Sequence, residues 1–348
     1  MGAPARPSAG RFLLLLARSC SIRFTAYYWV GWAVGLAAND RLDVAWALLG
    51  VPLWLAYCVG TEAVNRIADR TEDAVNRPER TALCEELGWG RLTSAAVVSW
   101  LVFVAIGAAL TWTHPGFALP AILLVDIGVA LGYSIGPAFK RRRVLALLAL
   151  TAPVTTPLVT GWAVHGTVDT LLTPVLPAVA VQAAFSLGLS GIKDITDVAG
   201  DQEIGYSSLW LALVRLWRPA AVYALVGAPF LLVAGCVAGG ALPLVALSVL
   251  PLVVVSRLVI TAASRAAAPA DREAAREVMH QYTFAFLALA LAACVATPAA
   301  LAAALVAAGY WAAASKALHW SGGLSLAQLG RWKDLLTAAT PASLADEH

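Results

Sequence analysis

A row of oxygen-bearing side chains lies along one predicted helix near residue 70. Asn65, Asp69 and Asp73 are spaced i, i+4 and i+8 in the sequence. Because a helix turns by about 100° per residue, the set drifts by only about 40°, so all three side chains share one face. The spacing predicts three convergent oxygen ligands, which we call the first acidic row.

A second acidic row contains Asp194, Asp197 and Asp201, spaced i, i+3 and i+7, and it also occupies one helix face. Each row follows a long apolar segment. Hard oxygen ligands suit Mg²⁺, which is usually shared between a few carboxylates and substrate phosphates. Two Mg²⁺ ions held in this way could bind a diphosphate and stabilise its charge as it leaves.

Basic side chains beside both rows could neutralise the remaining charge of a bound diphosphate. These residues are Arg70, Arg77, Arg80, Lys140, Arg141 and Lys193. The apolar segments would accept a hydrocarbon tail on the same molecule. Either row alone also fits a solvated loop with helix-capping acids and i,i+4 salt bridges. Two rows, each ending an apolar segment, favour a site for a lipid-like diphosphate.

The elements that must position these residues are membrane-spanning helices. Of the 348 residues, 60% are hydrophobic and 13% are charged, and the mean hydropathy is +0.76. A soluble domain is about 45–50% apolar and about 25% charged, so a soluble globule and a disordered chain are excluded. Five scattered cysteines fit no disulfide or metal spacing. The predicted fold class is all-α, a polytopic membrane bundle around a central cavity.

About 20 mainly apolar residues are needed for one membrane span. Nine segments of the chain meet this requirement. A further apolar stretch, 299–315, is either a tenth span or a re-entrant piece. Residues 1–21 are predicted to form an interfacial segment, 22–297 the catalytic bundle, and 298–348 an extra apolar segment with an amphipathic tail. The nine predicted spans are 22–39, 44–64, 92–112, 117–134, 144–164, 172–192, 218–238, 241–261 and 279–296.

The distribution of basic residues orients the bundle, because cytoplasmic loops carry an excess of Lys and Arg. With the N-terminus inside, Arg41 is basic in an outer loop, whereas the other 23 of the 24 Lys and Arg lie in or beside inner segments. Both acidic rows are then cytoplasmic, in what we expect to be the plasma membrane. No basic run is long enough to indicate nucleic acid, and the expected partners are the lipid bilayer and the lipid-like diphosphate.

These residues resemble motifs of the UbiA superfamily of intramembrane prenyltransferases. Asn65-x3-Asp69-x3-Asp73, followed by Asn76-Arg77-Pro78-x-Arg80, resembles the first aspartate-rich motif of that superfamily. Lys193-Asp194-x2-Asp197-x2-Gly200-Asp201 resembles the second, closest to the chlorophyll synthase and homogentisate prenyltransferase branches. Tyr133-Ser134 with Pro137 and Lys140-Arg141 is similar to the tyrosine-to-basic loop between the fourth and fifth helices. Two motifs at this separation are a strong signal, and the resemblance covers roughly residues 22–296.

The resemblance implies Mg²⁺-dependent ionisation of a polyprenyl diphosphate in a central cavity open sideways to lipid. It implies one Mg²⁺ ion on the first acidic row and a second on the second acidic row, with the basic residues named above as diphosphate contacts. Tyr133 would lie near the reacting carbon. The residues expected to act in catalysis are Asp69, Asp73, Asp197, Asp201 and Tyr133.

Two positions depart from the family pattern. Arg66 stands where the family usually has Asp or Gln directly after the motif's Asn. Helix geometry predicts that its side chain points about 100° away from Asn65, off the ligand face. The gap from Tyr133 to Lys140 is also longer than the common spacing. The sequence therefore leaves open which basic residue of this loop takes the family's role.

Three functions remain open at this point. A prenyltransferase would pass the allylic cation to an acceptor, usually an aromatic or quinone precursor. An intramembrane terpene cyclase would quench the cation internally and would need aromatic faces to stabilise it. A transporter would use the acids as an ion pathway, but it predicts acids nearer mid-span. Aromatic residues that could serve a cyclase are Tyr27, Tyr28, Trp29, Trp54, Tyr57, Phe185 and Tyr282.

Overall fold

The computed structural model describes residues 8–39, 43–114, 116–188 and 219–338, and these residues form helices and connecting turns. No strand occurs within these four ranges. The helices are α1 (Ala9–Ser19), α2 (Thr25–Ala37), α3 (Val44–Ala68), α4 (Arg70–Asn76), α5 (Pro78–Leu87), α6 (Trp89–Thr113), α7 (Ala118–Ser134), α8 (Arg143–His165), α9 (Val168–Gly188), α10 (Pro219–Ala238), α11 (Leu252–Arg265), α12 (Pro269–Val295), α13 (Pro298–Leu318) and α14 (Leu326–Thr337).

The predicted all-α membrane bundle is confirmed, and each predicted span coincides with a helix in the described part of the chain. Seven helical stretches are long and apolar enough to cross a membrane, whereas α7 and the stretch Tyr223–Ala238 of α10 are apolar but shorter. The first predicted span becomes the 13-residue α2, preceded by a 3-10 turn over Ile22–Phe24. The possible tenth span is the 21-residue α13, one of the seven.

Residue types at the helix ends explain several of these boundaries. Pro269 and Pro298 occupy the first turns of α12 and α13, where a missing N–H costs no helical hydrogen bond. Thr297 accepts a hydrogen bond from the Ala300 N–H and caps α13. Asp43 caps α3 in the same way through the Ala45 N–H. The long helices are thus delimited by local signals that the sequence itself carries.

Glycines allow α2 and α8 to pack backbone against backbone in the centre of the bundle. A Cβ atom at Gly35 would overlap the carbonyl oxygen of Leu158, and a Cβ at Gly161 would overlap that of Trp32. Small residues permit such close helix approach in membranes, where packing replaces the hydrophobic effect as the driving force. This contact fixes α2 against the helices that surround the cavity described below.

The C-terminal helices return the chain to the end of the bundle where α2 begins. α12 is largely buried, and α13 packs against both α12 and α2. Ser315, near the end of α13, lies beside Arg23, which directly precedes α2. The tail helix α14 packs against α11 and α12, and Arg265 donates to the carbonyl oxygens of Leu335 and Leu336.

Candidate active site

The first acidic row lies where α3 ends and α4 begins. α3 stops at Ala68, and Asp69 leaves helical geometry with φ −98° and ψ 16° before α4 starts at Arg70. The prediction of one unbroken helix face across residues 65–73 is therefore wrong. Aspartate favours helix ends over interiors because its carboxylate competes for local hydrogen bonds. The break directs the three side chains of the row to different partners.

Asn65 and Asp69 face the segment that follows α7. The Ser134 hydroxyl at the end of α7 donates to Asn65 Oδ1 at 2.9 Å. The ammonium of Lys140 pairs with the carboxylate of Asp69 and lies 3.9 Å from Glu72 Oε2. Lys140 reaches this position in a short 3-10 turn over Phe139–Arg141. The tyrosine-to-basic loop is thus brought against the first acidic row.

Asp73 faces two guanidinium groups instead. Arg66 Nη1 donates to Asp73 Oδ2 at 3.0 Å, and Arg80 Nη2 donates to Asp73 Oδ1 at 2.5 Å. Arg66 also pairs with Glu62, one helical turn earlier on α3. We call Glu62, Arg66, Asp73 and Arg80 the Arg66 cluster.

The Arg66 cluster corrects the expectation that Arg66 lies off the ligand face. Its side chain is buried, because it bridges Glu62 on its own helix to Asp73 beyond the helix break. Burial alone would raise the pKa of Asp73, but the guanidiniums of Arg66, Arg80 and Arg77 hold it well below the usual range. Asp73 is therefore an ionised carboxylate at neutral pH.

The other predicted site residues fall into three groups. Arg77 and Arg80 line the cavity described next, whereas Arg70 stacks over Trp89 with its guanidinium carbon 4.6 Å from the ring centroid. Arg141 is exposed and Tyr133 is half-buried, and neither is among the described cavity-lining residues. Residues outside the described ranges are Lys193, Asp194, Asp197 and Asp201, so the structure says nothing of the second acidic row.

A cavity of about 240 Å³ opens between α2, α3, α8, α9 and α12. Its polar lining includes Asn65, Arg66, Arg77 and Arg80. The apolar wall includes Phe24, Tyr27, Val154, Phe185 and Leu287. The cavity therefore combines guanidinium groups and hydrocarbon-compatible side chains within one volume.

A second ion pair also lines the cavity. Arg23 donates to both carboxylate oxygens of Glu277, Nη1 to Oε1 at 2.6 Å and Nη2 to Oε2 at 2.9 Å. The two side chains are 0% and 4% exposed. Gln281 Nε2 donates to the same carboxylate at 2.8 Å, so Glu277 is fully engaged.

Sequence reasoning missed several of these polar residues. Glu62 could have been found, because it precedes Arg66 by four residues on a predicted helix. Arg23 and Glu277 are 254 positions apart, and no local pattern joins them. Asp126, buried within α7 and hydrogen-bonded by Thr156, was also passed over as part of an apolar span.

The described residues do not by themselves bring together three typical metal-ligating side chains. Within the four described ranges, no group of three His, Cys, Asp or Glu side chains is close enough to hold an ion. All five cysteines are free thiols, in agreement with their scattered spacing. The described site is therefore an amide and carboxylate cluster next to several guanidiniums, at the mouth of a partly apolar cavity.

The sequence model of the UbiA prenyltransferase family matches residues 26–280 of this chain. The chain belongs to the UbiA prenyltransferase family. The match contains α2 to α11 and the first part of α12, and it includes both acidic rows. It ends before α13. No individual curated protein matches the chain by sequence.

Solved structures of UbiA proteins share the fold at low sequence identity. A digeranylgeranylglyceryl phosphate synthase aligns with a TM-score of 0.57 and 13% identity, over 83% of this chain and 99% of that protein. A UbiA homologue from Archaeoglobus fulgidus, solved with GPP and Mg²⁺, aligns with a TM-score of 0.56 and 16% identity, over 80% and 99%. A homologue from Aeropyrum pernix K1 aligns with a TM-score of 0.51 and 19% identity, over 82% of this chain and 98% of that protein.

Proposed function

We propose that this UbiA protein is a Mg²⁺-dependent intramembrane prenyltransferase that ionises a polyprenyl diphosphate and transfers the prenyl group to an aromatic or quinone-like acceptor. The observation that carries the proposal is the cavity, whose lining combines Arg66, Arg77 and Arg80 with aromatic and aliphatic side chains. Guanidiniums bind phosphate oxygens with paired, charge-assisted hydrogen bonds. A prenyl chain fits the remaining wall.

The donor chemistry of the first acidic row fits a hard divalent cation. Asn65 and Asp69 present amide and carboxylate oxygens, and Glu72 Oε2 is buried without a hydrogen-bond donor among the described residues. Both oxygens of Asp73 are occupied by Arg66 and Arg80, so Asp73 joins such a site only by exchanging a guanidinium. We assign one Mg²⁺ ion to this row and a second to Asp194, Asp197 and Asp201.

When bound, Mg²⁺ would neutralise charge on the diphosphate as its bond to carbon breaks. The residues of the chain then have separate roles. Arg66, Arg77 and Arg80 bind phosphate oxygens, and Lys140 balances the charge of Asp69. The apolar wall excludes water from the allylic cation, which would otherwise be hydrolysed. We assign Tyr133 and Lys193 to the same site, near the reacting carbon and the diphosphate respectively.

A terpene cyclase is the second candidate, and the aromatic lining of the cavity favours it. Phe24, Tyr27, Tyr28 and Phe185 all line the cavity, and aromatic faces stabilise cations through their quadrupoles. In that reaction no acceptor enters, and loss of a proton from the rearranged cation ends the sequence. The aromatic side chains serve either reaction, so the product distinguishes the two.

The experiment that tests the proposal uses the full chain in detergent or nanodiscs. Purified protein is incubated with Mg²⁺ and prenyl diphosphates of about 10, 15 and 20 carbons, with and without aromatic acceptors, and released diphosphate and organic products are measured. Acceptor-dependent products support the prenyltransferase. Cyclic hydrocarbons formed without an acceptor support the cyclase. No release of diphosphate from any of these substrates, with any acceptor, contradicts both proposals.

We also propose that the first acidic row faces the cytoplasm, since 23 of the 24 basic residues then lie on the inner side. Single cysteines at Glu85 and Gly116, which are both exposed, test this orientation in intact cells. A membrane-impermeant thiol reagent added outside should label the Gly116→Cys variant and leave the Glu85→Cys variant unlabelled. The reverse pattern would overturn the orientation.

A further inference from the structure

The chain continues past the family-matched region and contributes to the wall of the cavity. The match ends at residue 280, yet His319, Trp320 and Ser321 line the cavity together with Arg66 and Arg80. These three residues form the turn that follows α13, and we call them the 319–321 turn. The described cavity is therefore incomplete without a segment that the family model does not include.

α13 is fixed in position by an aromatic stack around Trp311. The Trp311 ring lies parallel to Phe284, with centroids 4.8 Å apart and planes at 7°, and to Tyr27 at 5.0 Å and 18°. Its indole N–H donates to Gln281 Oε1 at 2.7 Å. The Arg23 guanidinium lies 4.8 Å from the same ring. The end of α13 is thus attached to both α2 and α12.

Two glycines shape the 319–321 turn. Gly322 and Gly323 have φ of +73° and +75°, a region that residues with a Cβ rarely adopt. The Gly322 N–H donates to the carbonyl oxygen of His319 at 3.2 Å. A Cβ at Gly323 would lie 3.1 Å from the carbonyl oxygen of Ser315, so the chain passes close to α13 here. The sequence encodes a turn that returns His319 toward the cavity.

Hydrogen bonds define which nitrogen of His319 carries its proton. The backbone N–H of Ser321 lies 3.2 Å from Nδ1, and the Ser321 hydroxyl lies 2.7 Å from the same atom. A backbone N–H can only donate, so Nδ1 accepts and the proton of the neutral ring is on Nε2. Burial, together with the charges of Arg23, Arg80, Arg66 and Arg77, lowers the pKa of His319 to about 2. The ring therefore stays neutral at physiological pH.

A neutral imidazole among guanidiniums adds a hydrogen-bond donor without adding another charge. We propose that the 319–321 turn is part of the substrate site and that Nε2–H of His319 donates a hydrogen bond to an anionic oxygen of the bound diphosphate. This inference rests on the proposed function, since it takes the prenyl diphosphate as the anion. His319 is a binding residue here, and no covalent bond changes at its ring.

Two substitutions separate the Nε2 donor from the local contact with Ser321. In the His319→Asn variant the amide oxygen can replace Nδ1 as acceptor for Ser321, but no donor remains at the Nε2 position. In the His319→Gln variant the longer amide places an N–H near that position and gives up the contact with Ser321. The matched control is the His114→Asn variant, because His114 lies beside Trp46 and His165, outside the described cavity lining.

The measurement is binding of a 15-carbon S-thiolodiphosphate and of inorganic diphosphate, each with Mg²⁺, to the full chain in detergent. We expect His319→Asn to weaken binding of both probes about tenfold, and His319→Gln and His114→Asn to stay within about twofold of the unsubstituted protein. Melting temperatures of all variants are measured in parallel without ligand.

The outcomes separate this inference from the proposed function. Absence of binding by the unsubstituted protein overturns both. Binding by the unsubstituted protein that the His319→Asn substitution leaves unchanged overturns the role of His319 and leaves the proposed function standing. Equal losses in the Asn and Gln variants, accompanied by lower melting temperatures, would assign His319 a structural role and also overturn the inference.

Discussion

The two groups of ion pairs that line the cavity differ in how their partners are matched. Arg23 and Glu277 pair one to one, with both carboxylate oxygens engaged. In the Arg66 cluster, Asp73 is shared between two guanidiniums, and Arg66 is shared between two carboxylates. In the Arg23–Glu277 pair, which we call the saturated pair, both carboxylate oxygens are already hydrogen-bonded, whereas the shared groups of the Arg66 cluster can change partners when an anion or a cation arrives. We infer that the first arrangement joins helices and the second binds substrate.

The largest expected effect comes from the acidic rows. Asp69→Asn and Asp197→Asn each remove one negative charge at constant size, and each should lower turnover by orders of magnitude. The double variant should lose little more turnover than the worse single variant, since the effects of residues that act as a unit are strongly non-additive. The measurement is release of diphosphate, with melting in detergent as a control for folding. Near-normal turnover in either single variant, or multiplicative losses in the double variant, would rule out a shared two-ion site.

A different kind of loss is expected at the saturated pair. The Glu277→Ala substitution leaves the guanidinium of Arg23 buried and unpaired, which typically costs about 3–5 kcal/mol. The melting temperature in detergent should fall clearly. The double variant Arg23→Met with Glu277→Leu should recover much of this loss, because no unpaired charge remains. If Glu277→Ala melts like the unsubstituted protein, the pair does not join the helices as we infer.

Arg66 should give a smaller effect on catalysis. We expect Arg66→Gln to lower kcat/KM about tenfold, or about 1.4 kcal/mol in the barrier, by removing a phosphate-binding guanidinium. Arg66→Asp should be worse than Arg66→Gln, because it places a third carboxylate beside Glu62 and Asp73. The control is Lys333→Gln on the exposed tail helix. Full activity of the Arg66→Asp variant would restore the expectation that residue 66 lies off the site.

An effect that appears only at acidic pH is a pH dependence of stability from His319. The folded protein keeps this ring neutral, with a pKa lowered to about 2, whereas the unfolded chain takes up a proton below about pH 6.5. Stability is therefore unaffected above pH 7 and is lost as the pH falls through 6.5, by about 1.4 kcal/mol at pH 5.5. Melting between pH 7.5 and 5.5 should fall less in the His319→Gln variant. Identical slopes in the two proteins would contradict this assignment.

Sequence reasoning predicted the helices well because their signals are local. Apolar length located each span, and residues such as Pro269 and Pro298 supply end signals within one turn of the boundary. The structure places Lys140, which the family resemblance grouped with the first acidic row, beside Asp69. The assignment of its ligand roles stays a prediction.

The details that failed depend on contacts between distant parts of the chain. The break at Asp69 and the burial of Arg66 depend on partners beyond the ideal helix, namely Lys140 on another element and Asp73 past the break. The guanidinium of Arg70 lies over the Trp89 ring, and its predicted contact with diphosphate stays a prediction. Charge and spacing in a single sequence specify which groups need partners, and tertiary packing decides which partners they find.

The separation of Arg23 and Glu277 has a consequence for how the protein is made. Glu277 leaves the ribosome 254 residues after Arg23, so the guanidinium that precedes α2 lacks this partner during most of synthesis. A charge of this kind is costly inside hydrocarbon and tolerable in interfacial water. We therefore expect α2 to wait near the membrane surface and to settle into the bundle late, after α12 has been inserted. A helix translated early, α2, would then be among the last to reach its final depth.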